Sequence, residues 1–307
     1  MLKKLSSKPF LIIAIFSLLA AVIIYWQYEG DRTIAEVGSK ANYQLSRNLV
    51  YHKVNDSQLK LDLYQNKNPG LHPTLIVIHG GGWINQSKEG LKPFFEPYLN
   101  WGFSVVNINY RLASTALAPA AVQDARCALH WVVNNAEKYN FDKSKIITSG
   151  FSAGGHLSLT TGMIPPQAGF DNQCPSNKKN KLAAIVNWSG ITDVEDLIKG
   201  KNEKYYAVEW LGNQINDSKI ELAKNVSPIN YVRADLPPIL TIHGDKDTFV
   251  PYTHAVRLHQ KLDLAGVSNQ LYSLKEVAHG GFNKKQKQQI YATIKEFLIK
   301  HQLFPSR

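Results

Sequence analysis

Lys145-Ile146-Ile147-Thr148-Ser149-Gly150-Phe151-Ser152-Ala153-Gly154-Gly155-His156 joins a β-branched apolar run to a glycine-flanked serine and then to a helix-compatible stretch. The run does not alternate apolar with polar residues, which is how a strand buried on both faces of a parallel sheet reads. Glycines on either side of Ser152 suit a tight strand-to-helix turn, because strained backbone and close packing leave no room there for side chains. Gly-x-Ser-x-Gly alone is a short pattern. Its place between a strand and a helix gives it weight.

Similar buried-strand runs lie at residues 74–78, 104–108 and 183–188, and residues 239–242 and 270–274 give two more strands. Helical spacing of apolar residues marks 119–139, where Ala121, Ala125, Ala128, Leu129, Val132 and Val133 share a stripe, and helices are also expected at 253–264 and 284–301. Residues 47–54 and 58–64 alternate around Asn55-Asp56-Ser57 and predict an antiparallel hairpin. Alternation of strand and helix predicts an α/β fold, a mostly parallel central sheet covered by helices on both faces. Residues 191–236 are too long for a plain connection and form a candidate lid insertion.

A serine needs a base to take its proton and a carboxylate to orient that base, and on this architecture the chain order is Ser, Asp or Glu, His. Among the later histidines, His243 precedes its strand's acidic residues, His254 and His259 fall on a helix, and His301 is in the terminal helix. His279, in Ala278-His279-Gly280-Gly281, follows a strand on a loop and is the expected base. Residues 239–251 offer Asp245 and Asp247. Asp245 adjoins the glycine turn and reads as a backbone brace, whereas Asp247 stands further toward the catalytic face and is the expected acid. His79-Gly80-Gly81-Gly82-Trp83 follows another strand, and a loop without side chains lets backbone N–H groups approach an oxyanion. The expected donors are Gly81, Gly82 and Ala153, with His79 orienting the loop. Trp83 either lines an acyl pocket or packs the loop onto the body. The same choice is open for Tyr205, Tyr206, Trp210 and Leu211 of the insertion: a modest acyl pocket or a core helix. Asn109, Tyr110 and Arg111 are expected to brace a strand end near the site.

The motifs 78–83, Asn109-Tyr110-Arg111-Leu112, 150–157 and 243–251 resemble the α/β-hydrolase esterases over roughly residues 43–304. More narrowly they are similar to the bacterial branch of acetyl and feruloyl esterases, with hormone-sensitive-lipase-like carboxylesterases as cousins. Those cousins carry proline after the acid, where this chain has Thr248. The resemblance implies a serine carboxylesterase hydrolysing small esters, with Ser152, Asp247 and His279 in the matching positions; acyl transfer through these groups needs no cofactor, and the lack of a long apolar stripe in residues 191–236 favours short acyl chains. An amidase such as an aryl formamidase, or a serine peptidase, would use the same groups. A non-catalytic membrane-anchored binding module is the alternative from another class.

The chain of 307 residues is 44% hydrophobic and 19% charged, a globular composition. Its net charge of +11 is spread in small groups without interleaved aromatics, so no nucleic-acid partner is expected. The two cysteines and the lack of Cys-x-x-Cys or His-Glu-x-x-His leave no expected metal site. Residues 1–8 are basic, 9–28 carry no charge and are apolar from Phe10 to Trp26, and acidic residues follow. As a helix the apolar part would span roughly 26 Å, which suits one N-terminal membrane-spanning signal-anchor with the body on the extracytoplasmic side. Cleavage as a signal peptide, giving a secreted body, is the alternative. Residues 29–42 then read as a linker and 43–307 as the catalytic domain. Export would place Cys127 and Cys174 in an oxidising compartment; they are either a disulfide or one buried and one loop thiol. Nothing in the sequence speaks to the oligomeric state.

Overall fold

The computed structural model describes residues 42–174 and 181–305. The signal-anchor expected at 9–28, with its flanks, lies outside these residues; among the described residues no helix is long and apolar enough to cross a membrane.

Strands β1 (Tyr43–Val54) and β2 (Ser57–Asn66) form the expected hairpin, pairing Val54 with Ser57 across a turn in which Asn55 has a positive φ. Strands β3 (His72–Ile78), β4 (Ser104–Ile108), β5 (Phe141–Phe151), β6 (Ala184–Trp188), β7 (Ile239–Gly244) and β8 (Asn269–Leu274) complete an eight-stranded sheet ordered β1-β2-β4-β3-β5-β6-β7-β8. The first two ladders, β1–β2 and β2–β4, are antiparallel and the rest are parallel. Parallel neighbours need crossovers, and these supply the helices that cover the sheet.

Two apolar layers result. Side chains alternate across the sheet, so on β3 Ile76 and Ile78 enter one layer while Leu75 and Val77 enter the other. The first layer is closed by α2 (Ala120–Asn134), α4 (Ala153–Met163) and α7 (Thr253–Leu264), the second by α1 (Lys92–Asn100) and α8 (Lys284–Lys300). The helix expected over 119–139 is interrupted at Asn135, after which α3 (Ala136–Tyr139) adds a single turn. Residues 191–236 fold as short 3-10 turns with α5 (Tyr205–Leu211) and α6 (Asp217–Asn225). Trp210 and Leu211 are fully buried in the first layer, whereas Tyr205 is 45% exposed.

Cys127 on α2 and Cys174 form a disulfide, which closes the choice left open by the sequence. Beside it the Arg126 guanidinium donates to the carbonyls of Thr160, Thr161 and Ile164 at 3.2, 3.3 and 2.7 Å, capping the C-terminal end of α4. Arg126 also pairs with Asp171. Burial alone would raise that carboxyl; hydrogen bonds from His130 and Arg126 outweigh it and hold Asp171 at about 2.

Three buried histidines are kept neutral. Burial is the main cause for His79, His156 and His254, each pushed down to about 4. His156 Nε2 donates to the Val226 carbonyl at 2.8 Å while its Nδ1 accepts from Trp83 at 3.2 Å, an arrangement that uses a single ring hydrogen. Unfolded, these rings titrate near 6.5, so the folded state binds fewer protons and the stability they lend is complete above that pH. It drains as pH falls from about 6.5 toward 4, each ring contributing up to about 1.4 kcal/mol per pH unit inside the window. Urea midpoints measured between pH 7.5 and 4 should therefore fall steadily below pH 6.5; a flat profile would refute the account.

Candidate active site

Ser152 stands between β5 and α4 with φ 59° and ψ −119°, a left-handed conformation that costs a non-glycine residue roughly 1–3 kcal/mol. The surroundings dictate it. A Cβ at Gly150 would lie 2.5 Å from the Gly154 backbone, and one at Gly154 would lie 2.1 Å from the Ile78 carbonyl oxygen. The Ser152 amide donates to the Trp188 carbonyl at 2.8 Å, tying the turn to the end of β6. Ser152 is thus raised on a sharp turn at the C-terminal edge of the sheet, and Ala153 opens α4 with a first-turn amide that has no intrahelical acceptor.

The glycine loop leaves β3 alongside this turn. A Cβ at Gly80 would approach the Phe151 carbonyl oxygen to 2.8 Å and the Ser152 Cβ to 3.6 Å. Gly81 and Gly82 have φ of 94° and 62°, and a side chain at Gly81 would strike the Asn85 carbonyl. Among the described residues their amides donate to no acceptor, while the Gly81 carbonyl accepts from Ile84 and Asn85. Tyr110 braces the loop by donating to the Gly80 carbonyl at 2.9 Å, and the His79 ring stacks on it with centroids 4.1 Å apart. Asn109 receives the Lys88 amide at 2.6 Å, and Arg111 pairs with the buried Asp124 at 2.6 Å, so all three residues of that motif serve as braces.

His279 and Asp247 meet on the loops after β8 and β7. His279 Nδ1 donates to Asp247 Oδ2 at 2.6 Å, and Asp247 Oδ1 accepts the amides of Phe249 and Val250, both at 2.9 Å. The carboxylate is completely shielded from solvent and the imidazole nearly so. Burial works to raise the Asp247 carboxyl, but hydrogen bonds from His243 and His279 prevail and hold it far below the ordinary carboxylate range. The His279 ring lies 4.7 Å from that of Phe151, the neighbour of Ser152, and is stacked with Phe249 at 5.5 Å. Asp245 has the brace position expected of it, its Oδ1 accepting the Glu276 amide at 2.7 Å.

Trp83 packs the loop onto the body, one of the two roles the sequence left open. It is fully buried, stacked on Trp210 with centroids 4.1 Å apart and bonded to His156, so it ties the glycine loop to residues 205–211 and to α4. Tyr206 lies against Gly82 and donates to the Phe249 carbonyl at 2.7 Å, linking the insertion to the acid loop. The sequence reading assigned nothing to His156 or Arg126; both act through contacts more than thirty residues away in the chain. Among the described residues no group of three or more His, Cys, Asp or Glu could hold a metal ion.

A strand-order reversal filled by a serine elbow, a glycine loop and a His–Asp pair defines the α/β-hydrolase class of site. The BD-FAE family model matches residues 61–262, and the chain belongs to that family. Esterase LipC of Mycobacterium tuberculosis is 28% identical over 210 residues, covering 66% of this chain and 51% of LipC. The chain spans about half the length of the curated relatives it matches. Among solved structures, a truncated carbohydrate esterase from gut microbiota is 27% identical with a TM-score of 0.72, covering 85% of this chain and 99% of that one. Thermogutta terrifontis esterase 2 phosphoramylated by tabun is 25% identical with a TM-score of 0.71, covering 88% and 98%.

The close approach at Gly154 gives a stability test. Gly154→Ala places a methyl against backbone that cannot move without disturbing β3, so a loss of about 1–3 kcal/mol or more is expected in chemical denaturation. Gly266→Ala, at a positive-φ position open to solvent, should cost only about 1 kcal/mol. Equal losses for the two variants would contradict the packing argument.

Proposed function

We propose that the protein is a serine carboxylesterase for small, short-acyl esters. The observation that carries this is the His279–Asp247 hydrogen bond, with the His279 ring packed on Phe151, the residue before Ser152. In this reading His279 takes the Ser152 proton as Oγ attacks the ester carbonyl, and Asp247 holds the ring and stabilises the imidazolium. The tetrahedral oxyanion is received by the amides of Gly81, Gly82 and Ala153, groups with no competing protein acceptor among the described residues. His279 then protonates the departing alcohol, and water repeats the sequence to free the acid and restore Ser152. The similarity to proteins named esterases supports the reading, as does the tabun adduct of the Thermogutta enzyme.

Short acyl groups are favoured because buried Trp83, Tyr206 and Trp210 already occupy the space between the glycine loop and the insertion. The uncharged segment 9–28 and the Cys127–Cys174 disulfide support an extracytoplasmic body on an N-terminal membrane anchor, since disulfides persist in oxidising compartments.

The full chain should hydrolyse p-nitrophenyl acetate and butyrate far faster than the palmitate ester. Ser152→Ala, with unchanged circular dichroism, should lose at least about 10⁴-fold in kcat. Diethyl p-nitrophenyl phosphate should add a single diethyl phosphoryl group to the wild type by intact mass and none to Ser152→Ala. Near-native turnover by a folded Ser152→Ala protein would overturn the mechanism, and palmitate as the preferred ester would overturn the short-acyl specificity.

A further inference from the structure

Asp247 accepts three hydrogen bonds, and a second imidazole stands beside it. Besides the two amides on Oδ1 and His279 on Oδ2, His243 Nε2 lies 3.2 Å from Oδ2. His243 sits near the end of β7, four residues before the acid, and is completely buried. The same Nε2 lies 3.0 Å from the Val250 carbonyl oxygen. Two acceptors converge on one nitrogen, which therefore carries the ring hydrogen. Val250 in turn gives its own amide to Asp247, so His243 clasps both ends of the turn that presents the acid.

Packing does not account for an imidazole at this position. Its Nδ1 is buried with no hydrogen-bond partner among the described residues, a cost that an apolar side chain of similar size would not incur. What the ring supplies is the single N–H aimed at the acid turn.

We propose that His243 is a positioning residue of the hydrolytic reaction, its Nε2–H holding the 247–250 turn so that Asp247 faces His279 and moderating the charge His279 feels. The inference rests on the reading of Ser152, His279 and Asp247 as the reacting groups. The other titratable groups around this cluster are Tyr206, which donates to the Phe249 carbonyl, Tyr252, whose ring is 5.7 Å from that of His243, and Asp245 with the exposed Lys246–Glu276 pair. None of these donates to the Val250 carbonyl in the place of His243.

Two amide variants separate positioning from bulk structure. Glutamine places an N–H where Nε2 stands, whereas asparagine stops short of Asp247. His243→Asn is expected to lower kcat for p-nitrophenyl acetate at least about tenfold with KM within about twofold, the pattern of an interaction made in the transition state. With one donor lost, Asp247 holds the His279 imidazolium more strongly, so the acid limb of kcat/KM should rise by about 0.5–1 pH unit. His243→Gln should recover most of kcat and return the limb to the wild-type position. An acid limb unmoved or lowered in folded His243→Asn, or equal behaviour of the two variants, would overturn the proposal. Histidine ¹⁵N spectra of the wild type test it without any variant: His243 must be the Nε2–H tautomer at neutral pH, and an Nδ1–H tautomer would overturn it. Should wild type lack esterase activity, or Ser152→Ala keep it, the failure lies with the reaction assignment, whereas an active wild type with an Nδ1–H His243 isolates the failure to the clasp.

Discussion

The backbone of α4 at Gly154 comes so near the end of β3 that a Cβ would sit 2.1 Å from the Ile78 oxygen. This approach fixes the position of the serine turn against the glycine loop, and the rest of the site is arranged around it. Ser152 bears an unfavourable φ because Gly150, Gly154 and the Trp188 carbonyl leave the chain no other path. Arg126 holds the far end of the same helix, so both ends of α4 are anchored by groups outside it.

At the loops after β7 and β8, order comes from charge. A buried carboxylate is expensive unless its hydrogen-bonding capacity is met. Asp247 meets it with two backbone amides and His279, with the His243 ring 3.2 Å from Oδ2, which keeps it ionised and aimed. The insertion joins the two halves. Trp210 stacks on Trp83 of the glycine loop, while Tyr206 reaches from the same helix to the Phe249 carbonyl of the acid loop.

The strands and the chain order of Ser152, Asp247 and His279 were legible because buried parallel strands and glycine turns leave local marks. β5 runs longer than its apolar core, from Phe141 to Phe151, since ladder pairing with β3 and β6 continues past the hydrophobic residues. Helix α1 carries Pro97 internally, and α5 and α6 lie in a segment with short, weak periodicity, so tertiary packing and not local pattern makes them helical. His243 was set aside as a base because of its place in the order of the chain. Order is silent about which carboxylate oxygen its ring would reach.

By itself the sequence determined the alternation of strand and helix, the glycine positions that only a crowded turn requires, and the residue types able to activate a serine. These are local consequences of period, sterics and acid–base chemistry. Only the tertiary structure decided that Cys127 reaches Cys174, that Trp83 is packed against Trp210, and that His243 shares Asp247 with His279. Each of those depends on side chains meeting across different loops and helices, and such meetings are set by how the two layers close over the sheet.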